Sequence, residues 1–369
     1  MQHITGGKMK IGVDAGCLGI KDSHLKLGVY QVAYNLFKQL KTLDFKNQYY
    51  LYTFYPIARK VMAEFGPNVT SKVLPTSRGW LYFGLPLQLL KDQVDLFVGL
   101  NQAVPALLPC PSIIYVYDLA FERYPEYFPD SYSKLHYLSQ KAANLAIKII
   151  TISKSSKNDL VSLYQIKPAK ITVAHCGYDH KLFIRQSTDK PQNYFLFVGA
   201  LKRIKNVPTL LQAFAQFQKE SPVPYKLILA GSKRWVDPQI KATIKELKLQ
   251  NDVQITGYIS NSRLTELYQH AAAFVLPSLY EGFGIPLLEA MASGCPVIAS
   301  KVASIPEVVG DCGILIDPQS PQQITQALLD LTQNPKLRQK LIASGLKRVQ
   351  AFSWRQFAAK FTQTISTFN

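Results

Sequence analysis

Along this chain, short apolar runs alternate with segments whose apolar residues recur every three to four positions. Lys10–Asp14 reads as a strand, and Val29, Val32, Ala33, Leu36, Phe37 and Leu40 then line one face of a helix. Further strand-like runs fall at 49–54, 95–98, 112–117, 148–152 and 171–173, several separated by helical segments. A parallel sheet requires that spacing, because each crossover must travel back over the sheet face. The pattern restarts at Tyr194–Val198, followed by a helix carrying Val207, Leu210, Leu211, Phe214 and Phe217 on one side. Later strands are expected at 226–230, 253–255, 273–276, 297–299 and 313–316, so the chain reads as α/β, with two doubly wound sheets in sequence. Ligands are then expected at the carboxyl ends of the strands.

Between the two patterns, His180 to Asn193 is polar, contains Pro191 and has no period, and reads as a linker that lets two domains close on one another. Domains are expected over 1–185 and 186–351, with a final helix over 352–369. The segment Trp80–Leu90 is apolar and rich in aromatics; both a core helix and a membrane-facing patch remain open for it. It is broken by Lys91 and Asp92, well short of the roughly 20 residues that a membrane span needs. Residues 1–8 lack the apolar core of a secretion signal, and the strand opening at Met9 is an equally good natural start.

The densest candidate chemistry lies in Pro277–Ser300, where Glu281 and Glu289 are eight residues apart around a glycine-rich helix start. Gly282 and Gly284 remove Cβ atoms where backbone must approach a ligand, and Gly284-Ile285-Pro286 opens a helix whose first N–H groups have no intrahelical partner. Such an end suits a diphosphate. A carboxylate only accepts hydrogen bonds, so Glu281 and Glu289 suit the paired hydroxyls of a sugar or ribose.

This run resembles the signature of the family 4 retaining glycosyltransferases (group 1), enzymes of the GT-B fold with two facing Rossmann-like domains. Val198–Asn206, Val116–Phe128 and Ile152–Leu160 resemble further family motifs in the right order. The resemblance implies that the last helix crosses back onto the first domain. It implies that Glu289 holds the nucleotide ribose, and that Glu281 contacts the hexosyl or phosphate region and steadies positive charge in the transition state. Phe283 joins Gly282, Gly284 and Ile285 in the donor-binding loop. Lys205 is expected on the donor diphosphate, with Arg203 in support, since Ala200 stands after Gly199 where many relatives carry arginine. Tyr117 and Asp118 are carried over as catalytic, although relatives usually have histidine at the Tyr117 position. Gly28 corresponds to a glycine loop near the donor phosphates, and Gly199, Ser232 and Tyr258 to positions near the nucleotide.

The implied activity is transfer of a hexose, mannose by preference, from a GDP- or UDP-linked donor to a glycan or lipid-linked acceptor in cell-surface polysaccharide or glycolipid synthesis. The nucleotide sugar is a substrate; no cofactor and no metal are expected. Two rival readings are a catalytically degenerate sugar-nucleotide or glycan-binding protein, suggested by Tyr117 and Ala200, and a nucleotide-sugar epimerase, for which no further acid/base groups stand out.

Composition narrows the setting. Five scattered cysteines without a Cys-x-x-Cys pair argue against a disulfide framework, and six histidines show no metal-ligand spacing. A cytoplasmic protein, peripheral at the inner face of the plasma membrane, is expected. The formal charge of +18 is dispersed, without the runs or basic-aromatic motifs of a nucleic-acid binder, so attraction to an anionic membrane surface is preferred over nucleic acid.

Overall fold

The structure, a computed structural model, describes residues 7–20, 28–74, 79–105, 107–186, 191–233 and 236–368. The expectation for the chain start therefore falls largely outside the described residues, as do positions 187–190 of the linker. By its internal contacts the chain divides into two compact units, residues 1–176 with 353–369, and residues 177–352.

The first unit is built on seven parallel strands: β1 (Lys10–Asp14), β2 (Gln48–Thr53), β3 (Val69–Val73), β4 (Leu96–Gly99), β5 (Ser112–Val116), β6 (Lys148–Thr151) and β7 (Ile171–Val173), in the order β3-β2-β1-β4-β5-β6-β7. β4 and β5 are buried along their whole length, which explains their unbroken apolar sequence: helices cover both faces. β3 has no counterpart in the sequence reading. It is an edge strand, Val-Thr-Ser-Lys-Val, half exposed and polar in its middle, so it carries neither an apolar run nor a clean alternation.

Trp80–Leu90 meets both of its readings in part. A π turn over Trp80–Gly84 leads into a helix at Leu85–Asp92; Trp80, Leu85 and Leu89 enter the core beside Val94 and Phe97, while Tyr82, Phe83, Leu87 and Leu90 stay exposed. The final helix, Trp354–Ile365, belongs to this first unit. Its Ser353 cap accepts the Gln356 N–H, and Phe357 and Phe361 pack against Tyr115 with ring centroids 5.9 and 6.3 Å away.

The second unit holds six parallel strands: β8 (Tyr194–Val198), β9 (Lys226–Ala230), β10 (Val253–Gly257), β11 (Ala273–Leu276), β12 (Val297–Ser300) and β13 (Ile314–Ile316), in the order β10-β9-β8-β11-β12-β13. Strand order reverses between β8 and β11, which pair through Ala273 with Phe195 and Phe274 with Leu196. Loops leaving the carboxyl ends of those two strands diverge and open a crevice. Residues after Cys176 pack with this unit: the Phe183 ring stands edge-on to Tyr268, and Gln269 donates to the Ile184 carbonyl.

Candidate functional site

The crevice of the second unit is framed by the loop after β8, which carries Lys205, and the loop after β11, which carries Glu281. Asn206 joins them. It adopts a left-handed conformation (φ 54°), and its side-chain amide donates to the carbonyls of Pro277 (3.2 Å) and Pro318 (2.6 Å) while its oxygen accepts from Thr209. Leu279 N–H donates to the Ile204 carbonyl at 2.9 Å, closing the same seam through the backbone. Asparagine tolerates this backbone better than most residues, and its turn precedes a helix with Pro208 in its first turn.

Across that seam the Lys205 ammonium meets the Glu281 carboxylate at 2.5 Å, and Ser278 donates to the same carboxylate oxygen at 2.7 Å. Both side chains are only slightly exposed, 21% and 12%. Ser304 fixes the Glu281 backbone by donating to its carbonyl at 2.7 Å. The lysine is thus presented as a fixed cation, held by a carboxylate that has a second donor of its own.

Gly284 then turns the chain into the helix Ile285–Ala292 in a left-handed conformation (φ 94°), and a Cβ there would press on Leu287. Pro286 occupies the first turn, where its missing N–H costs nothing. Gly282 and Phe283 are buried, and the Phe283 ring packs edge-on against Phe352, so the loop can offer a ligand backbone rather than the aromatic face. Ile285 is half-buried.

Glu289 lies one turn further on, largely enclosed, and accepts from the Tyr268 hydroxyl at 3.1 Å. Burial pushes its carboxyl up to about 7; the Tyr268 bond opposes that rise and the Asp179 charge adds to it. Tyr268 is fully buried against Phe274 and Phe183. A carboxylate with one fixed donor and spare acceptor capacity is suited to a diol.

The remaining positions divide by environment. Gly199 and Gly231 bring the ends of β8 and β9 together so closely that a Cβ on Gly231 would collide with the Gly199 carbonyl oxygen. Ser232 follows at the β9 end, and Tyr258, about half exposed, follows β10. Arg203 reaches toward Asp237 (3.7 Å), not toward Glu281, and is mostly exposed.

In the first unit, Asp118 follows β5 and its carboxylate accepts the Ala120 N–H at 3.0 Å, starting the turn Ala120–Arg123. Tyr117 is enclosed. It is 6% exposed, its ring stacks on Tyr115, its carbonyl accepts from Ser156, and its hydroxyl has no hydrogen-bond partner among the described residues. Burial, with the charges of Cys17, Tyr115, Cys176 and Asp14 adding to it, holds that phenol well above its ordinary range. Gly28 is exposed at the start of the helix Gly28–Leu43, with open space where a Cβ would stand. Asn206, Ser278, Tyr268 and Ser304 were not singled out as site residues from the sequence; Asn206, Tyr268 and Ser304 act through partners 21 or more positions away, and Ser278, three residues from Glu281, carries no motif of its own.

A family model described as "Glycosyl transferases group 1" matches residues 179–348, and one described as "Glycosyltransferase Family 4" matches residues 28–182. The chain is 31% identical over 293 residues to O-antigen chain mannosyltransferase B of Escherichia coli, covering 76% of this chain and 75% of that protein. It is 30% identical over 235 residues to MMP alpha-(1->4)-mannosyltransferase of Mycolicibacterium hassiacum, covering 63% of this chain and 56% of that protein. Among solved structures, sucrose-phosphate synthase from Thermosynechococcus elongatus matches with a TM-score of 0.80 at 21% identity, over 98% of this chain and 99% of the other. The two family models follow one another along the chain, the division falls where the second unit begins, and the Escherichia coli relative is 31% identical over three quarters of each chain: the protein belongs to the family 4 glycosyltransferases, with the GT-B fold.

Proposed function

We propose that the protein transfers mannose, with retention of configuration and without a metal ion, from a GDP-linked donor to a hydroxyl of a glycan or lipid-linked acceptor. The mannosyltransferase names of the two relatives above support the sugar. The observations that carry the donor site are the partly buried Lys205–Glu281 pair, which joins the loops after β8 and β11, and the enclosed Glu289–Tyr268 pair on the helix that follows.

In this reading the ribose hydroxyls donate to ionised Glu289, and the diphosphate lies at the start of the helix Ile285–Ala292 beside Lys205. As the bond from the anomeric carbon to the phosphate oxygen breaks, negative charge grows on that oxygen. Lys205 meets it more strongly in the transition state than in the ground state. The acceptor oxygen bonds to the anomeric carbon on the same face, and its proton passes to the departing phosphate oxygen. Glu281, freed from Lys205 as the lysine turns to the phosphate, is left to accept from the sugar and to stabilise its positive charge. In the first unit Asp118 serves the acceptor side, and Tyr117 serves as packing. Lys205 and the helix end supply the charge neutralisation a divalent ion gives elsewhere, so chelator should leave the rate unchanged.

The test is thermal stabilisation by GDP, UDP and ADP on the wild type and on Glu289→Ala, because a ligand that binds only the folded state raises the melting temperature. The reading expects the largest shift with GDP and loss of most of it in the variant. A larger shift with UDP would move the donor class; no shift with any nucleotide would favour the degenerate binding protein.

A further inference from the structure

The exposed side of the Trp80–Asp92 segment gathers several large apolar side chains on one short stretch of the first unit's surface. Phe83, Leu87 and Leu90 are 71%, 65% and 60% exposed, and their spacing places them on one face, opposite the buried Leu85 and Leu89. Tyr82, 54% exposed, adjoins Tyr137 and Lys141 across a shallow hollow. That second helix, Tyr132–Leu145, presents Lys134, Tyr137 and Lys141 as a stripe, with Lys141 4 residues on from Tyr137 and over its ring at 5.6 Å.

Charge settles what such a face would meet. Residues 79–91 and 132–145 contain no Asp or Glu. Asp92, which follows the first segment, accepts from Tyr52, Lys72 and Gln88, and Lys72 neutralises it; Glu122 is engaged by Tyr132 and His136 of the second segment, and Asp130, exposed just before that helix, is the acid left at the edge of the face. Lys91 and Lys134 are exposed beside the apolar residues. An apolar strip flanked by cations, on two segments that carry no acid of their own, complements an anionic bilayer, whose headgroups take the lysines and whose acyl boundary takes the apolar side chains. Among the described residues no helix is long and apolar enough to cross a membrane, so contact would be from one side.

We propose that the π turn and helix of residues 80–92, with the Lys134–Tyr137–Lys141 stripe, form a docking face for an anionic lipid bilayer, Phe83, Leu87 and Leu90 inserting and Lys91, Lys134 and Lys141 meeting lipid phosphates. The inference deepens the lipid-linked acceptor reading, but vesicle binding is measured without turnover, so either can fail alone.

The experiment is co-sedimentation with vesicles of phosphatidylcholine alone and with about 30% phosphatidylglycerol. Three proteins are compared: the wild type, a Phe83→Ser/Leu87→Ser/Leu90→Ser variant, and a Lys91→Glu/Lys134→Glu variant. Because the substituted side chains are largely in solvent, both variants should melt as the wild type does and keep its stabilisation by GDP. The wild type is expected to bind the anionic vesicles at least about tenfold more tightly than the neutral ones, and each variant to lose about tenfold or more. The serine variant's residual binding should vanish on raising salt from about 0.1 M to about 0.5 M, since only the electrostatic part remains. Absence of vesicle binding by the wild type, equal binding by all three proteins, or loss of a wild-type dimer in the serine variant with vesicle binding unchanged would overturn the proposal.

Discussion

The ribose role proposed for Glu289 predicts that nucleotide binding depends on pH. With its carboxyl pushed up to about 7, about a tenth of the protein carries the ionised form at about pH 6 and about nine-tenths at about pH 8. Only the ionised form offers all its oxygen lone pairs to a ribose diol, so the site is fractionally competent and the apparent affinity is scaled by that fraction. Nucleotide affinity should then rise about tenfold over those two pH units, about 1.4 kcal/mol. Isothermal titration calorimetry with GDP across that range gives the affinity, and repetition in buffers of different ionisation enthalpy counts the protons released on binding. The terminal phosphate of GDP titrates nearby, so the quantity to compare is the ratio of wild type to Glu289→Gln at each pH. The ratio should grow about tenfold from acid to alkaline, with more protons released on binding near pH 7 in the wild type than in the variant, the release common to both coming from the GDP phosphate. A constant ratio would refute the reasoning.

The same group has a consequence for stability. Its folded-state value is raised, so between the ordinary carboxylate value of 4.5 and about 7 the folded protein holds a proton the unfolded chain has released. Stability contributed by that proton is lost as pH rises through the window, by at most about 3 kcal/mol. Glu289→Gln should flatten that decline in a denaturation series. Lys205→Ala is expected to lower kcat by about 10²–10³ with a smaller effect on KM, since it meets charge that develops in the transition state; a change in KM alone would contradict that role. Asn206→Ala removes three hydrogen bonds and puts Cβ chemistry less tolerant of the left-handed region at φ 54°, so the second unit should lose about 2–3 kcal/mol in urea unfolding. Tyr117→Phe removes a hydroxyl that has no partner among the described residues, so melting temperature and kcat should hold or rise slightly; a large fall in kcat would return the hydroxyl to the reacting sugar.

Most strands were legible because buried parallel strands read as short apolar runs, and β4, β5, β11 and β12 are buried end to end. β3 was not, because an edge strand with Thr70, Ser71 and Lys72 in its middle has no apolar face to announce it. The helix start at Gly284 was readable from Gly-Ile-Pro alone, since the constraint is local. Pairings were not: that Lys205 meets Glu281, that Asn206 ties Pro277 to Pro318, or that Tyr268 holds Glu289 depends on contacts across 76, 71, 112 and 21 positions. Arg203 shows the same limit, since nothing in its neighbourhood along the chain indicates that it turns to Asp237. Tyr117 lies at the end of an apolar run, and only the packing of Tyr115 and its neighbours decides that its hydroxyl faces inward.

The most direct test of the central claim is transfer itself: GDP-α-mannose is incubated with a mannose-terminated saccharide on a hydrophobic aglycone, and the new anomeric signal is read by NMR alongside released GDP. The account predicts an α-linked product, GDP in equal amount, and loss of both in Glu281→Gln. A β-linked product, or donor binding without any transfer, would contradict it.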